Sequence, residues 1–244
     1  MSERSTSVGP VGRLVPEVWR DWFAFLRAPS LHTPRERFGL VAVRAVLWLL
    51  VLGVLVDLPL ASLLGWLSKR ATLATPQLEQ LTRNGPAFTL LLGALMAPLM
   101  EEVLFRSWLD GKRRHITFFL MVLLTFGVFW KFGAMDQPLL AIGLALVLLL
   151  VGAALVWRAD RTVPQWFVRL FPAIFYLQAI AFAGSHFSNY PLDRPWLLVP
   201  FVLPQLVAGL IFGFARVRYG MWANLTLHAS SNAFFLALTL AGGS

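Results

Sequence analysis

Long apolar runs alternate with short polar or basic breaks along this chain. Seven runs are long enough to cross a hydrocarbon core of roughly 30 Å: 42–67, 86–109, 116–134, 138–157, 166–188, 196–215 and 221–240. Each predicts a helix, because an open strand leaves its backbone unsatisfied in lipid. The third and fourth runs are separated only by a short turn around Asp136, Gln137 and Pro138, which predicts a helical hairpin. Ahead of the first run lies a polar segment, 1–37, containing PEVWRDWFAFLR. There Val18, Trp19, Trp22, Phe23 and Leu26 recur at helical spacing, while Arg20, Asp21 and Arg27 take much of the other side. That pattern predicts a short amphipathic helix lying on the headgroups. The expected fold is all-α: a polytopic membrane bundle of about seven spans plus one interfacial helix. It divides into the polar segment 1–37 and a membrane-embedded domain, 38–244.

Composition agrees with a bilayer setting. Hydrophobic residues make up 58% of the 244, and charged residues 14%, against about 25% in soluble domains. Mean hydropathy is +0.69. The net charge of +9 would raise nucleic acid as a partner in a soluble protein; here it reads as the basic bias of cytoplasmic loops, and no nucleic acid is expected. With the N-terminus inside, fourteen of the 21 Lys and Arg fall on cytoplasmic segments and span ends. They include Arg20, Arg27, Lys112, Arg113, Arg114, Arg158, Arg216 and Arg218. Five, Lys69, Arg70, Arg83, Lys131 and Arg194, fall outside. The expected orientation is therefore N-terminus cytoplasmic and C-terminus outside. The first 37 residues lack the apolar core of about 7–15 residues that marks a secretory signal. There is no Cys, which excludes disulfides and thiolate metal sites.

Ionisable residues inside the runs change the picture most. Glu101 and Glu102 adjoin within PAFTLLLGALMAPLMEEVLFRSWL, although a carboxylate at the bilayer centre costs roughly 2.5–3.5 kcal/mol on insertion scales. The two point about 100° apart on a helix. Glu102 and Arg106 stand four apart, a spacing that pairs them on one face and leaves Glu101 as the candidate for chemistry. His186 follows Phe182 by one turn. His228 has Asn224 and Asn232 one turn to either side, with Ser231 close by. Interhelical hydrogen bonding is the simpler role for Asn224 and Ser231. The remaining histidines, His32 and His115, lie in basic polar segments and are expected to be solvated.

A carboxylate shielded from bulk water is a stronger general base. A neighbouring His can orient the water it deprotonates. A second His and an Asn amide can donate to a tetrahedral oxyanion. This set suits peptide hydrolysis by activated water, whereas neither Ser185 nor Ser231 lies in a nucleophile elbow.

The order EExxxR, FxxxH, HxxxN resembles the CAAX protease and bacteriocin-processing (Abi) family of intramembrane glutamate endopeptidases. Glu101 to Arg106, Phe182 to His186 and His228 to Asn232 carry it, together with the segment FVLPQLVAGLIFGFARVRYGMWANLTLHASSN. The resemblance covers about 86–110 and 170–240. It implies that Glu101 and His186 activate water, that His228 and Asn232 hold the oxyanion, and that Glu102 and Arg106 support the site. Phe182 and Asn224 join the supporting set. It further implies a bacterial inner membrane protein acting on a peptide or protein substrate, prenylated or not, with no cofactor and no metal.

Two other classes fit the same residues. Glu101, Glu102, His186 and His228 could ligate a divalent ion, although HExxH and the paired ExxH of di-iron bundles are absent. A transporter or scaffold could use them as a proton relay or helix glue. One tension concerns depth. Glu101 and His228 fall toward the cytoplasmic half, yet a straight helix from Gln165 carries His186 about 31 Å along, at about 1.5 Å per residue. The three can meet if the start of that run lies in the interface and the span begins near Pro172, or if the helix is tilted or kinked.

Overall fold

The computed structural model describes residues 16–31, 36, 38–70, 83, 85–133, 137–189 and 195–242; His32 and most of the polar segment before Pro16 lie outside them. Among the described residues eight helices follow one another: α1 (Glu17–Arg27), α2 (Leu40–Arg70), α3 (Pro86–Arg106), α4 (Arg113–Gly133), α5 (Pro138–Arg158), α6 (Gln165–Ser185), α7 (Leu203–Arg218) and α8 (Met221–Gly242). Short 3-10 turns, His186–Asn189 and Pro195–Val202, lie between α6 and α7. The chain is an all-α polytopic membrane bundle. Among the described residues six spans are long and apolar enough to cross a membrane: α2 to α6, and Val199–Arg218, which adds the end of the second 3-10 turn to α7. The seventh expected run forms α8, 22 residues long, with Asn224, His228 and Ser231 buried on it. It packs against α2, α3 and α7.

The first helix forms as expected, and much of its apolar face docks on the bundle. Val18, Trp22 and Phe25 are buried in the main core, with Phe25 against Phe175 (5.0 Å) and Phe214 (5.3 Å). Phe23 is 49% exposed instead. Trp19 donates its indole N–H to the Trp48 carbonyl at 2.7 Å, and the Tyr176 hydroxyl donates to that of Leu26. An amphipathic pattern cannot tell lipid from protein as the surface it meets.

The hairpin of α4 and α5 is present and packs mainly on itself. The helices that build the centre are α3, α6, α7 and α8. Gly209 lies against Phe182 and Ala179, and Gly213 against Phe175 and Gln178. This antiparallel register brings α7 and α6 together at two small residues. Extended by one turn it sets Phe171 level with Val217, so 165–170 run past the end of α7 at Arg218. The first turns of α6 therefore project beyond its neighbour, and the other end of α6, at Phe182 and His186, stays level with the centre. Phe182 at that end reaches the His228 ring, 5.7 Å between centroids. The α7–α8 turn closes through Gly220 at φ +100°, where its N–H reaches the Ala215 and Arg216 carbonyls, each 3.1 Å away; this left-handed conformation favours glycine.

Candidate active site

Pro98 shapes the helix that carries the glutamates. A proline within a helix has no N–H and crowds the carbonyl four residues earlier. Before it, Leu91–Met96 widens to π-helical turns, and the Ala97 N–H bonds the Leu92 carbonyl rather than that of Gly93. With Pro98 unable to donate, the Gly93 carbonyl has no main-chain donor from that turn. Asn232 of α8 supplies one, its Nδ2 lying 2.9 Å from the Gly93 oxygen. π-Turns of this kind recur at functional sites.

After the π-turns the helix continues from Ala97 to Arg106 and separates the two carboxylates. Glu102 is 1% exposed. It accepts hydrogen bonds from Arg106 Nη1 one turn on, from Asn224 Nδ2, and from His228 Nδ1 at 2.7 Å. Arg106 is itself fully buried, with its guanidinium carbon 4.2 Å above the Phe182 ring and 5.3 Å from the Phe212 ring. Cation–π contact of this sort gives the guanidinium a partner where water is excluded. Glu101 points elsewhere. Its side chain is 28% exposed and its Oε2 stands 3.5 Å from His228 Nε2. The imidazole of His228 thus lies between the two carboxylates, one against each ring nitrogen.

Phe182 joins the second histidine to this group. Its ring meets His186 at 4.9 Å and His228 at 5.7 Å, besides Phe105 at 5.4 Å. Phe212 stacks on His228 at 4.6 Å and 27°. His186 opens the 3-10 turn after α6, and its Nδ1 donates to the Phe182 carbonyl at 2.8 Å. That bond fixes the tautomer and leaves Nε2 as the basic nitrogen. Ser185 Oγ is turned to the same carbonyl, 2.8 Å away.

The structure therefore gathers Glu101, Glu102, Arg106, Phe182, His186, Asn224 and His228 in one cluster, and docks Asn232 on α3 one turn along α8. Asn224 has the interhelical role the simpler reading gives it. His115 departs from expectation: it is not merely solvated, since its Nδ1 lies 2.9 Å from both Asp110 oxygens. Among the described residues, no group of three His, Asp or Glu side chains is arranged to hold a metal ion.

Sequence reasoning missed three residues. Arg216, counted there among loop charges, is 4% exposed and bonds the Arg106 carbonyl through Nε at 2.9 Å and the Ser107 carbonyl through Nη2 at 3.0 Å. Phe212, one turn before it, had no signal beyond its spacing. Asp110 was not singled out. It lies after α3, outside the spans, and faces Arg216 at 3.4 Å, Lys112 at 3.4 Å and His115. Burial opposes its ionisation; Arg216, His115 and the Lys112 N–H outweigh that and hold its carboxyl below the usual range.

No curated protein and no solved structure matches the chain. A family model does, over residues 83–234, the stretch that holds all of the clustered side chains and Asn232. Family and geometry meet on the same helices, and the chain belongs to the type II CAAX prenyl endopeptidase Rce1-like family.

Proposed function

We propose that this membrane protein of a CAAX-type protease family hydrolyses peptide bonds within the bilayer using water activated by Glu101 and His186. The observation that carries the reading is the placing of His228 between two carboxylates that differ in surroundings. Glu102 is saturated by Arg106, Asn224 and His228, so it serves as an orienting anion. Glu101 is the one with exposed surface, its Oε2 only 3.5 Å from His228 Nε2.

The charges support this division. Arg106 offsets Glu102. A second proton on His228 would offset Glu101, leaving the group neutral overall, which is the arrangement a low-dielectric site tolerates best. With Nδ1–H given to Glu102, His228 acts as an oxyanion donor through Nε2–H. Asn232 gives one amide hydrogen to Gly93 and keeps a second for the same oxyanion. Water loses a proton to Glu101, with His186 Nε2 orienting it; the hydroxide attacks the peptide carbonyl. Collapse of the tetrahedral intermediate breaks the C–N bond, and the proton held by Glu101 passes to the departing amine. The basic residues favour a cytoplasmic N-terminus, and the family resemblance suggests a bacterial inner membrane.

The test is cleavage of a panel of farnesylated and unmodified peptides by detergent-solubilised protein. Glu101→Gln and His186→Ala should each abolish turnover; cleavage undiminished in both variants overturns the assignment.

A further inference from the structure

α7 supplies no group to the chemistry above, yet it touches His228, Arg106 and Phe182. On α7, Phe212 and Arg216 stand one turn apart on one face. Phe212 stacks on the His228 ring and lies under the Arg106 guanidinium. Arg216 takes the main chain of the same residue, bonding the carbonyls of Arg106 and Ser107. The Arg106 carbonyl also takes the Leu109 N–H at 3.2 Å, so Arg216 is a second donor there; buried carbonyls at a helix end need such partners. A cation there also suits the negative end of the helix dipole. Arg216 is itself 4% exposed, so the contact is enclosed rather than a surface pairing.

The consequence follows from the sequence of bonds. Arg216 fixes the end of α3; Arg106 at that end fixes Glu102; Glu102 fixes Nδ1 of His228. On the other side Phe212 fixes the plane of the same imidazole. One helix face thus holds both ends of the Glu102–His228 contact. We propose that Arg216 is a positioning residue, setting the separation between the glutamates of α3 and His228. The proposal rests on the reading that those residues perform hydrolysis, and a misplacement of about 1 Å can cost about 100-fold in rate.

Its test does not require turnover. The chain has four histidines, so protein labelled with 15N at the imidazoles gives a spectrum that single substitutions can assign. In Arg216→Gln the His228 signals should move or broaden. Arg216→Lys, which keeps the charge near Asp110 and one donor, should restore part of the change. Asp110→Asn should move His115 and leave His228 nearly unaltered. His228 signals unchanged in folded Arg216→Gln overturn the proposal; if that variant does not fold, Arg216→Met is read in its place and unchanged signals there do so. On a farnesylated CAAX tetrapeptide, positioning predicts a shift of about half a pH unit or more in the midpoint of the kcat/KM profile, together with a 10- to 100-fold fall in kcat on the order expected for misplacement. A purely structural role would lower amplitude and leave the midpoint in place, and that result also overturns the proposal. Wild-type protein that cleaves no peptide would count against the hydrolytic reading, while the imidazole spectrum would still decide the role of Arg216.

Discussion

Asn232 donates its side-chain amide to the Gly93 carbonyl, 2.9 Å away, and does so because Pro98 five residues on has no N–H to offer. Proline, π-turn and asparagine form one device that docks α8 on α3. Replacing Pro98 by Ala supplies the missing donor and lets the ladder close as ordinary α-helix. Asn232 then loses its partner and α3 loses the extra residue in its turn, rotating Glu101 and Glu102 relative to His228. Pro98→Ala should retain or raise the melting temperature, since Ala favours helix, yet lose at least about 10-fold in peptide cleavage. Parallel melting and turnover measurements check this; unimpaired turnover would show that the π-turn has no part in placing the site.

The two glutamates should separate in mutagenesis. Glu102→Gln leaves Arg106 buried without its counter-ion, and breaking a buried pair from one side costs about 3–5 kcal/mol. Its main defect should be stability, read as a lowered melting temperature in detergent. Glu101→Gln removes a side chain that is 28% exposed and that anchors no other residue as Glu102 does. Melting should stay near wild type while turnover falls about 100- to 10,000-fold, the range of a lost general base. The reverse pattern, with Glu102→Gln stable and Glu101→Gln unfolded, would exchange the proposed roles.

Acid should loosen the segment after α3. Asp110 faces Arg216, Lys112 and His115, and despite the opposing effect of burial its folded pKa lies below the ordinary value. A depressed carboxyl contributes stability that is present above the unfolded value, about 3.9, and is lost as pH falls through the folded one. Asp110→Asn should therefore melt below wild type at neutral pH, and the gap should shrink once pH drops below about 4. Hydrogen exchange over 107–116 gives a local readout of the same change. A gap that stays constant across that range would mean Asp110 acts by shape rather than by charge.

Much of this was legible from residue order alone. Apolar runs give the helices because lipid permits little else, and Glu101, Glu102, His186, His228 and Asn232 stand out because ionisable and amide groups are costly there. What pattern could not give was which surface each face meets. The stripe of α1 has the same spacing whether it lies on headgroups or on Phe175 and Phe214. Arg216, near the end of an apolar run and followed by Arg218, reads like any snorkelling loop charge until its carbonyl partners are known. The depth of His186 depended on how far α6 projects past α7, a matter of register set by Gly209 and Gly213. The π-turn had a signal in Pro98, but only the orphaned Gly93 carbonyl makes its use apparent.

That register offers the last test. A Cβ on Gly213 would stand 2.8 Å from both Phe175 Cε2 and Gln178 Nε2. The Gln178 amide could swing aside, but Phe175 is fully buried among Phe25 and Phe171 and has no room to withdraw. Gly213→Ala should cost about 1–3 kcal/mol through overpacking and push α6 from α7, displacing Phe182 from beneath Arg106. Gly127 on α4 is the control, because a Cβ there meets nothing within 4 Å, and Gly127→Ala should be neutral or stabilise by up to about 1 kcal/mol through helix propensity. Equal melting temperatures for the two variants would mean that the α6–α7 contact yields without strain. Lowered melting in Gly213→Ala with full turnover would mean that the level of Phe182 is held by contacts other than this pair of helices.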